Sequence, residues 1–430
     1  MDCIGVNADG WLEIGGVSTQ YLAEKYGTPL YVMDEAQIRG NCRAYREAFE
    51  KYYGGRGRAV YACKALCCTE ICRIVAEEGF ALDVVSGGEI YTAKQAGVDL
   101  KNAFFHGNNK TSAELFMALD LGVGCIVVDN AVELETLADL ARDMGKSVDI
   151  MFRIKPGVEA HTHEFIRTGG IDSKFGVALE NGEAFALLEK AAAYEHLHII
   201  GLECHIGSQI FDTEPFALAA RVMLSFMNEV REKLGLRLGI LDLGGGYGIR
   251  YTDADNPPAR ADYIRIMTDT VKDICGTLGM EPPFLLIEPG RSIVGDAGLT
   301  LYRVGSVKRI EGVRTYVAVD GGMGDNPRYT MYGSPYGMVI ANKAALPKDT
   351  VVTVAGRYCE TDLLQEHIPL QQAEPGDCLA VLATGAYNYS MASNYNRVPR
   401  PPLVLVRDGE DRLAVRREQY ADMVRCDVCE

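Results

Sequence analysis

CIVVDNAVELETLADLARDMGKSVDIMFRI, residues 125–154, holds a short apolar run, then a stretch with apolar residues at three- and four-residue intervals, then a second apolar run. The outer segments, Cys125 to Val128 and Val148 to Ile154, predict strands, and Ala131 to Met144 predicts a helix between them. A strand, a helix and a further strand form the repeating unit of parallel sheets with crossover connections. The alternation continues in both directions, from about residue 59 to residue 287. Further strands are predicted at Ala59 to Cys63, Leu82 to Val85, Ala103 to Phe105, Ile199 to Cys204, Ile240 to Leu243 and Phe284 to Ile287, with helices at Ala184 to Ala193 and Phe216 to Lys233. Eight strands with intervening helices over this length predict a (β/α)₈ barrel.

The texture changes after Glu288. Leu299 to Ile310, Thr315 to Val319, Val351 to Ala355, Cys378 to Leu382 and Leu403 to Val406 are β-prone, with Gly and Pro turns between them and little helical period. A mostly antiparallel β-rich domain is expected to follow the barrel, so the fold class is α/β plus all-β. The expected division is 30–288 for the barrel, with 1–29 and 289–430 for the β-rich domain. Trp11-Leu12-Glu13-Ile14 is a candidate strand that pairs with that second domain.

At 430 residues the chain exceeds the usual span of one core, which agrees with two domains. Its 48% hydrophobic and 24% charged residues are ordinary for a globular protein. No apolar run approaches the ~18 residues of a membrane span. Met1-Asp2-Cys3-Ile4-Gly5 has no signal-peptide pattern, so the cytoplasm is the expected location. A net charge of -16, with Lys and Arg scattered, argues against nucleic acid as a partner.

Thirteen cysteines without a secretory signal read as reduced thiols. Cys63, Cys67, Cys68 and Cys72 fall at near-helical spacing, but no CxxC pair or neighbouring histidine completes zinc-type ligation, so packing is expected. Cys426-Asp427-Val428-Cys429 is a CxxC at an acidic end, where a frayed tail is expected. His161, His163 and Glu164 lack a third partner, and no metal is expected there.

Barrel enzymes build their active sites past the carboxyl ends of the strands. Polar residues crowd those positions here: Lys64, Ser86 to Glu89, His106, Arg153, His205, Gly244-Gly245-Gly246 and Glu288. The glycine turn after the seventh strand can offer backbone N–H groups to a phosphate, at the place where barrels often bind one. Burial of Lys64 at the mouth would favour the neutral amine that forms a Schiff base, although a rim lysine paired with a carboxylate fits the position equally well. Glu288 in a mouth needs a cation. A protonated pyridine nitrogen would serve, and so would Arg291.

The chain resembles the barrel-type decarboxylases that depend on pyridoxal 5'-phosphate, the diaminopimelate decarboxylases most closely, with ornithine and arginine decarboxylases as wider kin. The resemblance runs over nearly the whole length, through YACKA, DVVSGGE, HTHEFIRTGGIDSKFG, HIGSQI, LDLGGGYG, IEPGRSIV, DGGM, CE and GAYNYSMASNYNRVPRP. It implies that Lys64 carries the cofactor and that His205 stacks on the cofactor ring. It further implies that Ser208, Gly244, Gly245, Gly246 and Tyr387 hold the phosphate, with Glu288 at the ring nitrogen. Asp83, Ser86 and Glu89 match a cluster near the lysine, and Gly290 and Arg291 complete the cofactor-binding set.

For substrate, the resemblance points to Arg291, Arg328, Tyr332, Glu360 and Tyr387. Diaminopimelate carries an amino-acid head at each end, so a site that selects it needs cations for the distal carboxylate and an anion for the distal ammonium. Arg291 and Arg328 suit the first by bidentate pairing, and Glu360 suits the second. Arg328, in Asn326-Pro327-Arg328-Tyr329, would otherwise read as an exposed loop residue. Cys359 matches the family's general acid. In relatives Cys359 and Glu360 reach the other subunit's site, which implies a homodimer with shared active sites. Cys359-Glu360-Thr361-Asp362 is one residue shorter than family members commonly have. The reaction implied is decarboxylation of meso-2,6-diaminopimelate to L-lysine. A relative acting on another amino acid or on a carrier-linked substrate is the alternative. An alanine-racemase-type enzyme would lack the Cys-Glu pair, and a silent regulator would be expected to lose Lys64 or Cys359.

Overall fold

The computed structural model describes residues 1–158 and 172–428. His161, His163 and Glu164, most of the HTHEFIRTGGIDSKFG stretch, and Cys429 lie outside the described residues. The chain divides into two compact units, one of Asn41–Gly248 with Pro257–Ser292, the other of Met1–Gly40, Ile249–Asn256 and Ile293–Glu430.

The first unit is the expected barrel. Its strands, in chain order, are Gly57–Ala62, Ala81–Val84, Ala103–Phe105, Cys125–Val128, Val148–Lys155, Leu197–Cys204, Ile240–Asp242 and Phe284–Ile287. Each runs parallel to the next, and the ring closes where Ile287 pairs with Ala59. Val177–Ala178 adds a short strand beside the end of the fifth. Val60, Ala81, Cys125, Val127, Met151 and Leu286 form one buried cluster, with Phe104, Ile200, Ile240 and Phe284 packed against it. Apolar side chains of this kind fill a barrel interior and leave the polar ones for its rim.

The Ala131–Met144 helix has local reasons for its limits. The Asn130 side chain accepts from the Glu133 N–H at 3.0 Å, and Gly145 ends the helix at a left-handed φ of 60°. Leu134, Leu137, Ala138 and Ala141 are its buried face. Each buried leucine contributes about 1.5–3 kcal/mol. The helix therefore stays at the length its periodicity predicts.

The second unit is built on a sheet ordered Leu363–Leu370, Thr350–Ala355, Arg314–Val319, Gly298–Ile310, Leu30–Asp34, Leu403–Arg407 and Glu410–Val415. Cys378–Leu382 also pairs with the long Gly298–Ile310 strand, and Met338–Ile340 pairs with Cys378–Leu382. The pairings are mostly antiparallel, as expected. Two pairings are parallel, Arg314–Val319 with Thr350–Ala355 and Leu30–Asp34 with Leu403–Arg407. Leu30–Asp34, on the barrel side of the expected division at residue 30, is a central strand of this sheet. All five of its residues are buried, so the run Leu30-Tyr31-Val32-Met33 lacks the alternation that marks a half-exposed strand. Leu12–Ile14 is the expected strand, but it pairs with Ile4–Val6 and Val17–Ser18 in a small sheet of its own. Leu12 and Ile14 still join the core formed with Leu30, Val32, Leu299 and Val404.

Candidate active site

Ionisable side chains gather at the carboxyl end of the barrel strands, as the topology requires. Asp83 comes from the second strand, His106 follows the third, Arg153 lies in the fifth, and Glu203 with His205 mark the end of the sixth. Asp242 ends the seventh strand and Glu288 follows the eighth. His106 Nε2 lies 2.9 Å from Glu288 Oε1 and 3.9 Å from Asp83 Oδ1. Arg153 Nε lies 3.7 Å from Glu203 Oε2. Asp83, Glu203, Asp242 and Glu288 are all buried.

Burial controls their charges. It pushes the Glu288 carboxyl up, against the opposing pull of Lys64 and Arg153. It lifts Glu203 to about 7, opposed by Arg153, and raises Asp83, opposed by His106. The same loss of water, with Lys64 and Arg153 nearby, holds the His205 imidazole well below its ordinary value, so His205 is neutral. Its Nδ1 accepts from the Gly245 N–H at 3.2 Å, which leaves the proton on Nε2.

The cluster is short of partners. Asp83 Oδ1, both oxygens of Glu203 and His106 Nδ1 are buried without a hydrogen-bond partner among the described residues, and Glu288 Oε1 meets His106 Nε2 only as a close contact that is not aligned as a hydrogen bond. Buried polar atoms left in this state cost about 1–3 kcal/mol each. A bound group carrying an N–H donor would relieve the deficit at Glu288. Asp83, His106 and Glu288 would also accept a divalent ion, but a bare ion has no use for the glycine turn beside them.

That turn is built so that only glycine fits. A Cβ at Gly245 would stand 2.2 Å from the Glu288 carbonyl oxygen, at Gly246 2.4 Å from that of Gly207, and at Gly244 2.5 Å from that of Cys204. Gly244 and Gly246 also have φ of 67° and 105°. The amides are not all available to an anion, however: Gly244 N–H donates to Asp242 Oδ1 at 2.9 Å, and Gly245 N–H is given to His205. Gly246 is the expected cradle glycine whose N–H has no partner among the described residues. Ser208, another expected cradle residue, accepts from Arg291 Nη2 at 2.8 Å. Arg291 is buried and opens the Arg291–Val294 helix.

Lys64 sits in the tight Cys63–Ala65 turn just past the first strand, and its side chain is exposed. The expected burial is not found: Cys63 and Ala65 on either side are buried, whereas Lys64 stays open to solvent while its charge still acts on Glu288 and His205. Gly290 is placed by packing. A Cβ there would come 2.9 Å from the Ala62 Cβ and 3.0 Å from that of Ala65, so its absence lets the Glu288-Pro289-Gly290-Arg291 segment bear on the lysine's turn. Ser86 and Glu89 cap the Gly87–Gln95 helix: Ser86 Oγ accepts from the Glu89 N–H at 3.2 Å, and Glu89 Oε2 from the Val85 N–H at 2.8 Å.

The second unit brings Arg328, Tyr332 and Tyr387 together. The guanidinium carbon of Arg328 lies 5.4 Å, 5.6 Å and 5.8 Å from the ring centroids of Tyr332, Tyr387 and Tyr251. Arg328 is buried in the short Arg328–Tyr332 helix, not in an exposed loop. No carboxylate among the described residues pairs with it, and its Nε has no partner. A buried, ring-lined guanidinium of this kind is a receptor for an anion. Cys359 and Glu360 stand apart on an exposed loop between Thr350–Ala355 and Leu363–Leu370. Cys359 N–H donates to Asn396 Oδ1 at 2.9 Å, and Glu360 Oε1 accepts from the Tyr395 hydroxyl at 2.5 Å. The loop is drawn shut by the buried Asp362, whose carboxylate accepts from the N–H groups of Met323 at 2.6 Å and Tyr358 at 2.8 Å. Sequence reasoning gave Glu203, Asp242, Tyr251 and Asp362 no role. An acid inside an otherwise apolar strand end, as in Leu202-Glu203-Cys204 and Leu241-Asp242-Leu243, was the available signal.

Residues 35–295 match the family model for the pyridoxal-dependent decarboxylases' pyridoxal-binding domain. The diaminopimelate decarboxylase of Bacillus subtilis (strain 168) is 49% identical over 423 residues, covering 98% of this chain and 96% of that protein. That of Halalkalibacterium halodurans is 48% identical, covering 98% and 96%. The crystal structure of diaminopimelate decarboxylase from M. jannaschii in co-complex with L-lysine has a TM-score of 0.93 at 36% identity, covering 100% of this chain and 98% of that one.

Proposed function

Because the chain belongs to the diaminopimelate decarboxylases, within the pyridoxal-dependent decarboxylases, we infer that it removes carbon dioxide from meso-2,6-diaminopimelate to give L-lysine. The observation that carries the reading is the buried Glu288 carboxylate beside a turn in which a Cβ on Gly244, Gly245 or Gly246 would run into a backbone oxygen. Pyridoxal phosphate, when bound, supplies an electron sink for the pair left behind as the carboxylate departs.

The chain's own residues do the rest. Lys64 is the residue that would hold the cofactor. Glu288 would supply the carboxylate for its ring nitrogen, and neutral His205 would offer an uncharged face to its ring. Ser208, Arg291, Tyr387 and the Gly246 N–H are the groups proposed to hold the phosphate. For the substrate, the Arg328 guanidinium, which has no carboxylate partner among the described residues, takes the distal carboxylate, with Tyr332 and Tyr387 keeping water from the pair. Glu360 takes the distal ammonium. Cys359 then delivers the proton on its Sγ to the α-carbon, which completes the exchange of carboxylate for hydrogen. The exposed Cys359–Glu360 loop is read as serving a partner subunit, so that two copies complete each other's sites. A cytoplasmic location goes with this biosynthetic role.

The test is carbon dioxide release by the cofactor-loaded enzyme offered meso-diaminopimelate, lysine, ornithine and arginine separately. Lysine should form from the first and no gas from the others. Turnover of ornithine or arginine in place of diaminopimelate would overturn the reading.

A further inference from the structure

Sequence spacing gives Cys63, Cys67, Cys68 and Cys72 no zinc-type partner, yet the fold turns three of them toward one point. The sulfurs of Cys63, Cys67 and Cys72 all lie within 4.8 Å of one another. They come from different pieces of backbone: Cys63 from the Cys63–Ala65 turn, Cys67 from the link that follows, and Cys72 from the Thr69–Glu77 helix. Cys63 and Cys72 are buried and Cys67 is half-buried, which leaves a way in from one side.

Among the described residues the cluster holds only sulfur donors, with no histidine or carboxylate in it. Soft ligands of this type select copper(I), zinc or an iron–sulfur cluster. Structural zinc takes four ligands, and iron–sulfur clusters take four cysteines. Three sulfurs match the lower coordination number of copper(I). None of the three cysteines has a part in the decarboxylation.

We propose that Cys63, Cys67 and Cys72 form a three-sulfur site for a thiophilic monovalent ion, copper(I). Each thiol that is still protonated releases its proton as its sulfur binds, and copper stays in the same oxidation state throughout. Occupancy would tie the turn that carries Lys64 to the Thr69–Glu77 helix.

The experiment uses cofactor-loaded, full-length enzyme carrying Cys426→Ser and Cys429→Ser, to remove the other plausible thiol pair. Copper(I) is titrated anaerobically against a chromogenic competitor, and the bound ion is examined by copper K-edge X-ray absorption. The expected result is one tightly held ion per chain with three sulfur neighbours. Adding Cys67→Ser or Cys72→Ser should weaken binding at least about tenfold, while Cys275→Ser leaves it unchanged. Affinity unchanged from the parent in the Cys67→Ser and Cys72→Ser variants, a two-sulfur linear ion, or a preference for zinc with a fourth light donor would overturn the proposal. Should either variant fail to fold, the count of sulfur neighbours in the parent protein still decides.

Discussion

At Glu288 a single oxygen atom decides how the barrel mouth works. Its carboxylate is buried, 2.9 Å from His106 Nε2, and glutamine in its place would keep the shape but could not hold a proton on a ring nitrogen. Glu288→Gln is therefore expected to retain the cofactor's visible absorbance while kcat falls about 10²–10³-fold, the usual cost of one electrostatic partner in a closed site. Steady-state kinetics with meso-diaminopimelate check this, and an unchanged kcat would remove Glu288 from the mechanism. Much at this scale was legible, because an ionisable residue just past an apolar strand has few places to go. Lys64, His205 and Glu288 stand past their strand ends, as that reading placed them. Arg328 was not legible in this way, since Asn326-Pro327-Arg328-Tyr329 reads as a loop and only the fold buries it among three tyrosines. The three converging cysteines were visible as a spacing, but that they meet depends on a strand end, a link and a helix arriving together.

Among the elements, the glycine turn and the first turn of the Glu35–Tyr53 helix are the most sensitive. Gly245→Ala drives a methyl group against the Glu288 backbone, which cannot retreat without moving the eighth strand. A loss of about 1–3 kcal/mol is expected, read by thermal unfolding, together with loss of the cofactor's absorbance. Glu35 accepts from Arg39 Nε at 2.9 Å and from Arg412 Nη2 at 2.7 Å. Burial works against its charge, but hydrogen bonds from Arg412 and Arg39 outweigh it and bring the carboxyl down from 4.5 to about 2. A carboxyl held low in the folded state binds fewer protons there than when unfolded. Its stabilisation is thus complete above pH 4.5 and disappears as the pH falls through about 2. Glu35→Gln should cost about 2 kcal/mol at neutral pH, a figure kept below the full linkage value because Arg412 is half-exposed, and almost nothing at the acid end. Denaturant titrations across this range test it; a constant difference would refute it. Element boundaries came through well where periodicity was strong, as in Ala131–Met144. Leu30–Asp34 was misjudged because a strand buried on both faces has no alternation to read.

For the molecule as a whole, the exposed Cys359–Glu360 loop makes a prediction about assembly. Lys64→Ala removes the cofactor anchor and Cys359→Ala removes the acid, so each variant alone should be inactive. If the sites are shared between subunits, mixing the two under conditions that exchange chains should restore about a quarter of the wild-type activity, since half of the pairs are mixed and each has one intact site. No recovery despite confirmed exchange would show that each chain serves itself.

The ring-lined guanidinium of Arg328 sits in a five-residue helix of one unit, while the glycine turn that tolerates no side chain belongs to the other. Selection therefore acts on the two with different freedom. The barrel mouth is fixed by contacts between backbone atoms, whereas the Arg328–Tyr332 helix can exchange side chains at little steric cost. New substrate preferences in a lineage of this architecture should thus arise by replacements around Arg328, on a cofactor platform that stays as it is.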